Sequence, residues 1–187
     1  LTRILPRTSA LRRPSRRGSG DALLAANADF VLAVCAAPSL LRAFALPEWA
    51  LEAARAAGLP AGLFVSHWDR LAPEEGDALA RRLEPLRAEL DSLAWGSALE
   101  PPAGLLPALR GKSVAVLGGP GCGKTALIQR LAGVQAPLRP TTAVSLSQGP
   151  DGTLWLDTPG FRGASPAAKP APDYRRQPCG ESFSCKA

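Results

Sequence analysis

The residues with the clearest chemical use lie at positions 118–125, where the sequence reads GGPGCGKT. This stretch fits the pattern G-x-x-x-x-G-K-[S/T], whose glycines let successive backbone N–H groups face one anionic ligand. Lys124 can reach the outer phosphates of a nucleotide, and Thr125 can hold Mg²⁺. The alternative is a glycine-rich turn that precedes Lys-Thr by chance, and the flanking sequence distinguishes the two.

Both flanks favour phosphate binding. Residues 113–117 form an apolar, β-branched run that is typical of a buried strand, and residues 125–131 follow with helical spacing. A helix that begins at the loop directs the positive end of its dipole toward the same ligand. Strand, loop and helix together predict a phosphate cradle.

A second motif, Asp157-Thr158-Pro159-Gly160, follows the apolar run at residues 153–156. An acid at the end of a strand downstream of a phosphate loop can orient Mg²⁺ and its waters, and Gly160 can direct a backbone N–H at a terminal phosphate. Seen alone, these four residues also fit an ordinary turn. The two motifs support each other, because nucleotide chemistry needs both.

Strands and helices alternate from residue 29 onward, which predicts an α/β fold with a mostly parallel sheet covered on both faces. Ligands of such sheets lie at the carboxyl ends of the strands. Gly58 and Pro60 end the first long helix, and Pro85 can break the second. The predicted elements before the loop are a strand at 29–35, a helix at 40–57, a strand at 61–66, a helix from 73 toward 93, a strand at 93–95 and a helix or turn at 101–109. After the loop, strands at 143–146 and 153–156 join through a turn at 149–152 into a hairpin.

Length and composition set the broad class. A chain of 187 residues can bury one sizeable core, and it holds no uncharged apolar run long enough to span a membrane. A soluble protein with one main domain is therefore predicted. The four cysteines are scattered, which argues against a disulfide framework and favours a reducing compartment. Cys122 could be alkylated or oxidised if the loss of nucleotide leaves it exposed. The chain contains no Met, so Leu1 is not expected to be the natural start.

The net charge of +6 comes from the first part of the chain. Residues 1–20 hold six arginines and no acid, whereas residues 21–187 hold sixteen basic and sixteen acidic side chains. An arginine-rich arm with little to bury is expected to be mobile and suited to phosphate backbones. A solvated linker or an organellar transit segment is the alternative.

The order of the motifs is unusual, because only 27 residues follow Gly160 and three β–α units precede the loop. A nucleoside-triphosphate domain needs further strands that carry its base-recognition loops, so these must lie upstream. The chain therefore resembles a circularly permuted GTPase, and within that group the RsgA or YjeQ family. The motifs that carry the resemblance are Leu5-Pro6-Arg7, residues 24–32, residues 118–125 and residues 156–162.

The resemblance implies roles for matching residues. Asp69 would accept the guanine N1–H and amino group, and the Ala98 N–H would meet the guanine O6. The implied nucleotide-binding set is Ser66, His67, Trp68, Asp69, Ser97, Ala98, Gly118, Gly119, Pro120, Gly121, Cys122, Gly123, Lys124, Thr125 and Ala126. Lys124, Thr125, Asp157 and Gly160 would serve catalysis, and Thr125, Asp157 and either Thr141 or Thr142 would hold Mg²⁺. Phe161 stands where other GTPases carry a water-orienting Gln, which implies slow intrinsic turnover.

The base-recognition segment departs from the family pattern. It reads Ser66-His67-Trp68-Asp69, whereas the family has Asn-Lys-x-Asp. The Asn normally ties this segment to the phosphate loop, and the Lys stem packs along the base. Either His67 or Trp68 would then stack on the base, or the pair packs against the neighbouring helix. A binding module without productive hydrolysis is the alternative to a GTPase.

The resemblance also implies the surroundings of the domain. Residues 1–20 would be a basic arm that remains from an N-terminal OB-fold, residues 21–165 the permuted GTPase domain, and residues 166–187 a tail that begins a zinc module. Cys179 and Cys185 could bind Zn²⁺ only with further ligands, because two thiolates do not close a tetrahedral site. The implied substrate is GTP, the implied cofactor is Mg²⁺, and the implied partner is the small ribosomal subunit with its 16S-type rRNA. We expect no membrane association, a monomer, and either bacterial cytoplasm or plastid stroma.

Overall fold

The computed structural model describes residues 6–14, 21–105, 107–134 and 143–160. Its strands are β1 (Ala10–Pro14), β2 (Asp21–Ala26), β3 (Phe30–Ala36), β4 (Ala61–Ser66), β5 (Ser92–Trp95), β6 (Ser113–Gly118), β7 (Ser145–Gln148) and β8 (Leu154–Asp157). Its α-helices are α1 (Ala37–Arg42), α2 (Ala45–Ala57), α3 (Pro73–Leu83) and α4 (Lys124–Ala132). Short 3₁₀ turns occur at Trp68–Arg70, Glu84–Ala88 and Ala103–Leu105.

Six strands form one sheet in the order β5-β4-β3-β6-β8-β7. All neighbours are parallel except β7 and β8, which form an antiparallel hairpin. The prediction of a mostly parallel sheet that ends in a hairpin is therefore confirmed. Because β6 lies between the strands that precede it in the chain and the strands that follow it, the phosphate loop emerges near the middle of the sheet.

Both faces of the sheet are covered, because successive side chains of a strand point to opposite faces. On β3, Val31, Ala33 and Cys35 pack with buried residues of α1, α2 and α3. Leu32 and Val34 point to the other face and pack with α4 and with the segment around Leu105 and Leu109. This gives the predicted three layers, and the strands of the middle layer are apolar over most of their length for that reason.

The long helix predicted at residues 40–57 is wrong in one respect, because it is two helices. The helix α1 ends at Arg42 and α2 begins at Ala45. Pro47 explains the break, since a proline inside a continuous helix would lack the N–H bond to Ala43 and clash with its carbonyl. The predicted stop at Gly58 is confirmed, because Gly58 has φ +66° and caps α2.

The second predicted helix ends earlier than its apolar pattern indicates. The helix α3 stops at Leu83, and a 3₁₀ turn with Pro85 in its first turn follows at Glu84–Ala88. This agrees with the predicted break at Pro85. The chain then enters β5, the short strand predicted near residue 93.

The basic arm is not mobile throughout. Strand β1 pairs antiparallel with β2, and the Leu11 side chain is fully buried. Asn27 holds the start of this hairpin, because its Oδ1 accepts a hydrogen bond from the Thr8 N–H at 2.8 Å. The expectation of an arm with little to bury is therefore wrong at Leu11.

Among the described residues, no helix is long and apolar enough to cross a membrane.

Candidate phosphate-binding site

The phosphate loop leaves β6 and turns into α4 through two glycines in the left-handed region. Gly121 has φ +70° and Gly123 has φ +87°. Residues with a side chain rarely adopt these φ angles, so the backbone of the loop requires glycine at both positions. Lys124 and Thr125 open α4, so the positive end of the dipole of this helix lies at the loop. The loop therefore presents amides and a helix N-terminus to one point, as a phosphate site requires.

Gly118 is required by close packing and not by its backbone angle. A Cβ at this position would lie 2.3 Å from the Val34 carbonyl oxygen and 2.7 Å from the Cys122 Sγ. The first of these contacts is with backbone, which cannot move aside without shifting β3. Glycine at position 118 lets the loop lie directly against the end of the neighbouring strand.

We expect Gly118→Ala to lower the melting temperature by roughly 5 °C, because overpacking of this kind costs about 1–3 kcal/mol. It should also weaken nucleotide binding, since the loop must shift. The matched control is Gly104→Ala, where an added Cβ meets nothing within 4 Å. Thermal unfolding of the two variants checks this prediction, and equal melting temperatures would contradict it.

The Lys124 ammonium lies inside the loop. Its side chain is only 6% exposed, and Nζ donates hydrogen bonds to the carbonyl oxygens of Gly119 at 2.9 Å and Gly118 at 3.2 Å. A buried cation needs such partners, and an anionic phosphate would satisfy it better than neutral carbonyls do. Lys124 is thus held where it can neutralise phosphate charge.

Asp157 ends β8 beside the loop and contacts Thr125. The Thr125 hydroxyl donates to Asp157 Oδ2 at 2.8 Å, and the Asp157 side chain is buried. A hydroxyl and a carboxylate are hard oxygen donors of the kind that Mg²⁺ prefers. These two residues therefore fit the implied Mg²⁺, which Thr125 would bind and Asp157 would support.

Residues 158–160 keep the second motif against the loop. The Thr158 hydroxyl donates to the Val116 carbonyl at 2.6 Å, which fixes the chain as it leaves β8. A Cβ at Gly160 would lie 2.9 Å from the Pro120 nitrogen, so the two backbones touch. The interpretation of Asp157-Thr158-Pro159-Gly160 as an ordinary turn does not account for this approach.

The segment Ser66-His67-Trp68-Asp69, which was predicted to recognise the base, reaches the same loop from the β4 side. Ser66 ends β4, is fully buried, and donates from its hydroxyl to the Cys122 carbonyl at 2.6 Å. The next residue, His67, has φ +56°, and its Nε2 lies 3.4 Å from the Gly121 carbonyl oxygen. Asp69 follows on the exposed 3₁₀ turn Trp68–Arg70. The segment that carries Asp69 thus lies at the same edge of the sheet as Lys124.

Trp68 packs away from the loop. Its ring stacks on Trp95 with centroids 5.0 Å apart and planes at 22°. It also covers Gly76 of α3, where a Cβ would lie 3.6 Å from the Trp68 Nε1. Of the two alternatives for this side chain, the structure has the one in which it packs against the neighbouring helix.

Ala98 also contacts the phosphate loop. It is buried, and a Cβ at Gly123 would lie 3.2 Å from the Ala98 Cβ. The Trp68 N–H donates to the Gly96 carbonyl at 3.4 Å, which joins this segment to the one that carries Asp69. The Ser97 hydroxyl accepts from the Leu99 N–H at 3.2 Å and so stabilises the turn. The segments at residues 66–69 and 96–98 are therefore joined to each other and lie together beside the phosphate loop.

Some predicted site residues lie outside the described ranges. These are Thr141, Thr142, Cys179 and Cys185. Within residues 6–14, 21–105, 107–134 and 143–160, no group of three or more His, Cys, Asp or Glu side chains is arranged to hold a metal ion. The structure therefore gives no support for a zinc site.

Two residues outside the predicted binding and catalytic sets also contribute. Thr158 positions the second motif, and its place directly after Asp157 was the available signal. Cys35 ends the buried part of β3, and its carbonyl lies 3.3 Å from the Ser66 hydroxyl. No pattern in the sequence indicates that contact.

The thiol of Cys122 is protected. Burial raises its pKa above the usual value, and the nearby Lys124 ammonium lowers it by less. Burial also raises the pKa of Cys35, and the neighbouring Cys122 adds to that rise. Alkylation or oxidation of Cys122 was expected only if this residue is exposed, and in the structure it is 4% exposed.

We expect Cys35 and Cys122 to react with iodoacetamide at pH 8 at least about tenfold more slowly than free glutathione, because a raised pKa leaves less thiolate. Unfolding in denaturant should restore ordinary rates. Peptide mass mapping of both residues measures this, and rapid labelling of Cys122 in the native protein would be the contrary result.

These features define the class of protein. A mostly parallel sheet has the phosphate loop near its centre, and the strands β3, β4 and β5 precede that loop in the chain. This is the fold of a circularly permuted P-loop nucleotide-binding domain. The RsgA GTPase family model matches residues 4–166, and the chain belongs to this family. No curated protein gives a significant match.

Two solved structures share the fold. YjeQ from Thermotoga maritima is 22% identical, has a TM-score of 0.67, and aligns over 87% of this chain and 55% of its own. YloQ, described as a circularly permuted GTPase, is 19% identical, has a TM-score of 0.54, and aligns over 88% of this chain and 60% of its own. The chain thus spans a little more than half the length of these proteins.

Proposed function

We propose that this chain binds GTP and hydrolyses it to GDP and phosphate. The observation that carries the proposal is the convergence of two distant segments on one phosphate loop. Ser66 contacts the Cys122 carbonyl from one side, and Gly160 touches Pro120 from the other. A loop that only bound phosphate would not need the first of these segments, which brings the guanine-binding candidate Asp69 with it. Membership in the RsgA GTPase family supports the same reaction.

The reaction is phosphoryl transfer to water, and the protein contributes position and charge. The Lys124 ammonium and the amides of the loop hold the phosphates. When bound, Mg²⁺ would supply further positive charge at the outer phosphates. Thr125 and Asp157 would hold that ion, and Gly160 would direct its N–H toward the terminal phosphate. Phe161 follows directly and has no group that could orient water, so we expect turnover to be slow without a partner.

We expect Thr125→Ala to reduce the gain in GTP affinity that Mg²⁺ provides by about tenfold, because the variant loses one oxygen ligand. Thr125→Ser keeps the hydroxyl and should retain the gain. Titrations of GTP with Mg²⁺ and with EDTA measure the difference. The same dependence on Mg²⁺ in both variants would exclude Thr125 as a ligand.

The proposed setting is maturation of the small ribosomal subunit, in bacterial cytoplasm or plastid stroma. In this proposal, residues 21–165 are the GTPase domain, and modules beyond it, an OB-fold before and a zinc module after, dock on 16S-type rRNA. The basic side chains of residues 1–20 suit such a partner.

Phosphate release from GTP, measured with and without small ribosomal subunits, tests this proposal. The expected result is slow release by the protein alone and faster release with the subunits.

The other candidate function is a module that binds nucleotide without productive turnover, which the absence of a water-orienting side chain at Phe161 favours. Tight binding of GTP with no release under either condition would select that candidate.

A further inference from the structure

The contacts of Ser66 and His67 fall on two successive carbonyls of the phosphate loop. The Ser66 hydroxyl donates to the Cys122 carbonyl at 2.6 Å, and the His67 Nε2 lies 3.4 Å from the Gly121 carbonyl oxygen. A carbonyl only accepts, so this contact is a hydrogen bond when His67 carries a proton on Nε2. Neither residue matches the Asn-Lys pair of the family, yet both reach the loop.

A bond at a carbonyl also fixes the amide of the same peptide unit. The peptide bond is planar, and in its trans form the C=O and N–H point in opposite directions. The described residues contain no cis peptide bond. The bond at Gly121 therefore turns the Cys122 N–H away from His67, and the bond at Cys122 turns the Gly123 N–H away from Ser66. Both amides belong to the phosphate loop.

We propose that Ser66 and His67 are positioning residues that set the direction of the two phosphate-binding amides of Cys122 and Gly123. The hydroxyl of Ser66 takes over the tie to the loop that the Asn side chain makes in the family, and the imidazole of His67 adds a second contact to the next carbonyl. The inference rests on the proposed function in one respect, namely that the loop binds the phosphates of a nucleotide. It concerns the phosphate end of that ligand and not the base.

Three further observations support this role. Ser66 is fully buried, so water does not compete for its hydroxyl. Ala98 packs against Gly123 from the same side, where an added Cβ would come within 3.2 Å. His67 occupies the left-handed region at φ +56°, which histidine tolerates better than most residues, and its Nε2 lies 3.4 Å from the Gly121 carbonyl oxygen.

The test compares Ser66→Ala with Thr153→Val. Thr153 is also fully buried, and its hydroxyl lies 3.3 Å from the Leu109 carbonyl, at the opposite end of the sheet from the loop. Each variant loses one buried hydroxyl, so both should lower the melting temperature. Ser66→Ala should also weaken GDP binding about tenfold, whereas Thr153→Val should leave it unchanged.

A phosphorus NMR spectrum of bound GDP gives a readout that a loss of stability does not change. Ser66→Ala and His67→Ala should shift the β-phosphorus resonance. Each variant loses the hydrogen bond that orients one peptide unit of the loop, and the N–H of that unit contacts the β-phosphate. Ser66→Asn and His67→Lys restore a donor and should keep GDP affinity within about threefold of the parent protein. Unchanged GDP affinity and an unchanged β-phosphorus signal in Ser66→Ala would overturn the inference, and so would an equal loss of affinity in Thr153→Val.

The parent protein separates this inference from the proposed function. If it binds GDP and ADP equally well, the guanine preference fails, but Ser66→Ala can still be tested with either diphosphate. If it binds neither, both proposals fail. If it prefers GDP and Ser66→Ala behaves like the parent, only the positioning role fails.

Discussion

Replacing Lys124 with alanine is expected to lower the affinity for GTP and GDP by at least about a hundredfold, the largest effect of any single change in this protein. The ammonium is almost fully buried and already lies within the loop, 2.9 Å from the Gly119 carbonyl. Its removal takes away the positive charge that a triphosphate would meet at this point. Equilibrium titration with a fluorescent guanine nucleotide measures the loss.

Lys112→Ala is the matched control for that experiment. The Lys112 ammonium also donates to a backbone carbonyl, that of Ala108 at 2.7 Å, and lies 5.0 Å from the centre of the Phe30 ring. It sits at the amino end of β6, whereas the phosphate loop follows the carboxyl end. This variant should bind nucleotide as the parent does. If Lys124→Ala bound GTP as tightly as Lys112→Ala, the loop would not be a phosphate cradle.

Replacing Asp69 with asparagine is expected to exchange the preferred base. A carboxylate accepts from both the N1–H and the amino group of guanine, whereas the amide of asparagine offers a donor that suits the second carbonyl of xanthine. We expect GTP affinity to fall by about a hundredfold and XTP affinity to rise, because unpaired polar groups in a binding site are costly. Competition titrations with GTP and XTP measure both changes.

Asp77→Asn removes the same charge from an exposed position on α3 and should leave both affinities unchanged. If the Asp69→Asn variant kept its preference for GTP, another group would have to read the base. The segments that contain Ser66 and Ala98 would then support the phosphate loop without contributing to base specificity.

The phosphate loop and the second motif could be predicted from the sequence because each is a local pattern with a local cause. Gly121 and Gly123 are required by backbone angles, and Asp157 follows an apolar strand directly. The central strands were predictable for a similar reason. Strands buried on both faces, such as β3, are apolar along their length and stand out from their surroundings.

The contact of Ser66 with the loop could not be predicted, because it depends on where two distant strands end. The strands β4 and β6 are separated by β3 in the sheet, and the hydroxyl reaches the Cys122 carbonyl past the end of β3. The sequence shows a serine where the family has asparagine, and residue type alone indicates a lost interaction. The backbone brings the shorter side chain close enough to replace it.

The N-terminal hairpin was not predicted, because the polar composition of residues 1–20 favoured an exposed arm over a strand. Residues 10–14 contain two arginines and a proline, which favour an exposed arm, yet Leu11 is fully buried against the rest of the core. A single apolar side chain carries this contact, and pairing with β2 supplies the rest. The break between α1 and α2, in contrast, could be predicted from the sequence, because Pro47 lies inside the predicted helix and proline interrupts a helix at such a position.

The most direct test of this account is the affinity of the unmodified protein for GTP and ATP, measured by titration in the same buffer with Mg²⁺. If Asp69 binds the base of a nucleotide whose phosphates lie at Lys124, GTP should bind at least about a hundredfold more tightly than ATP. Equal affinities for the two nucleotides would contradict it, because the base-recognition segment would then read no base.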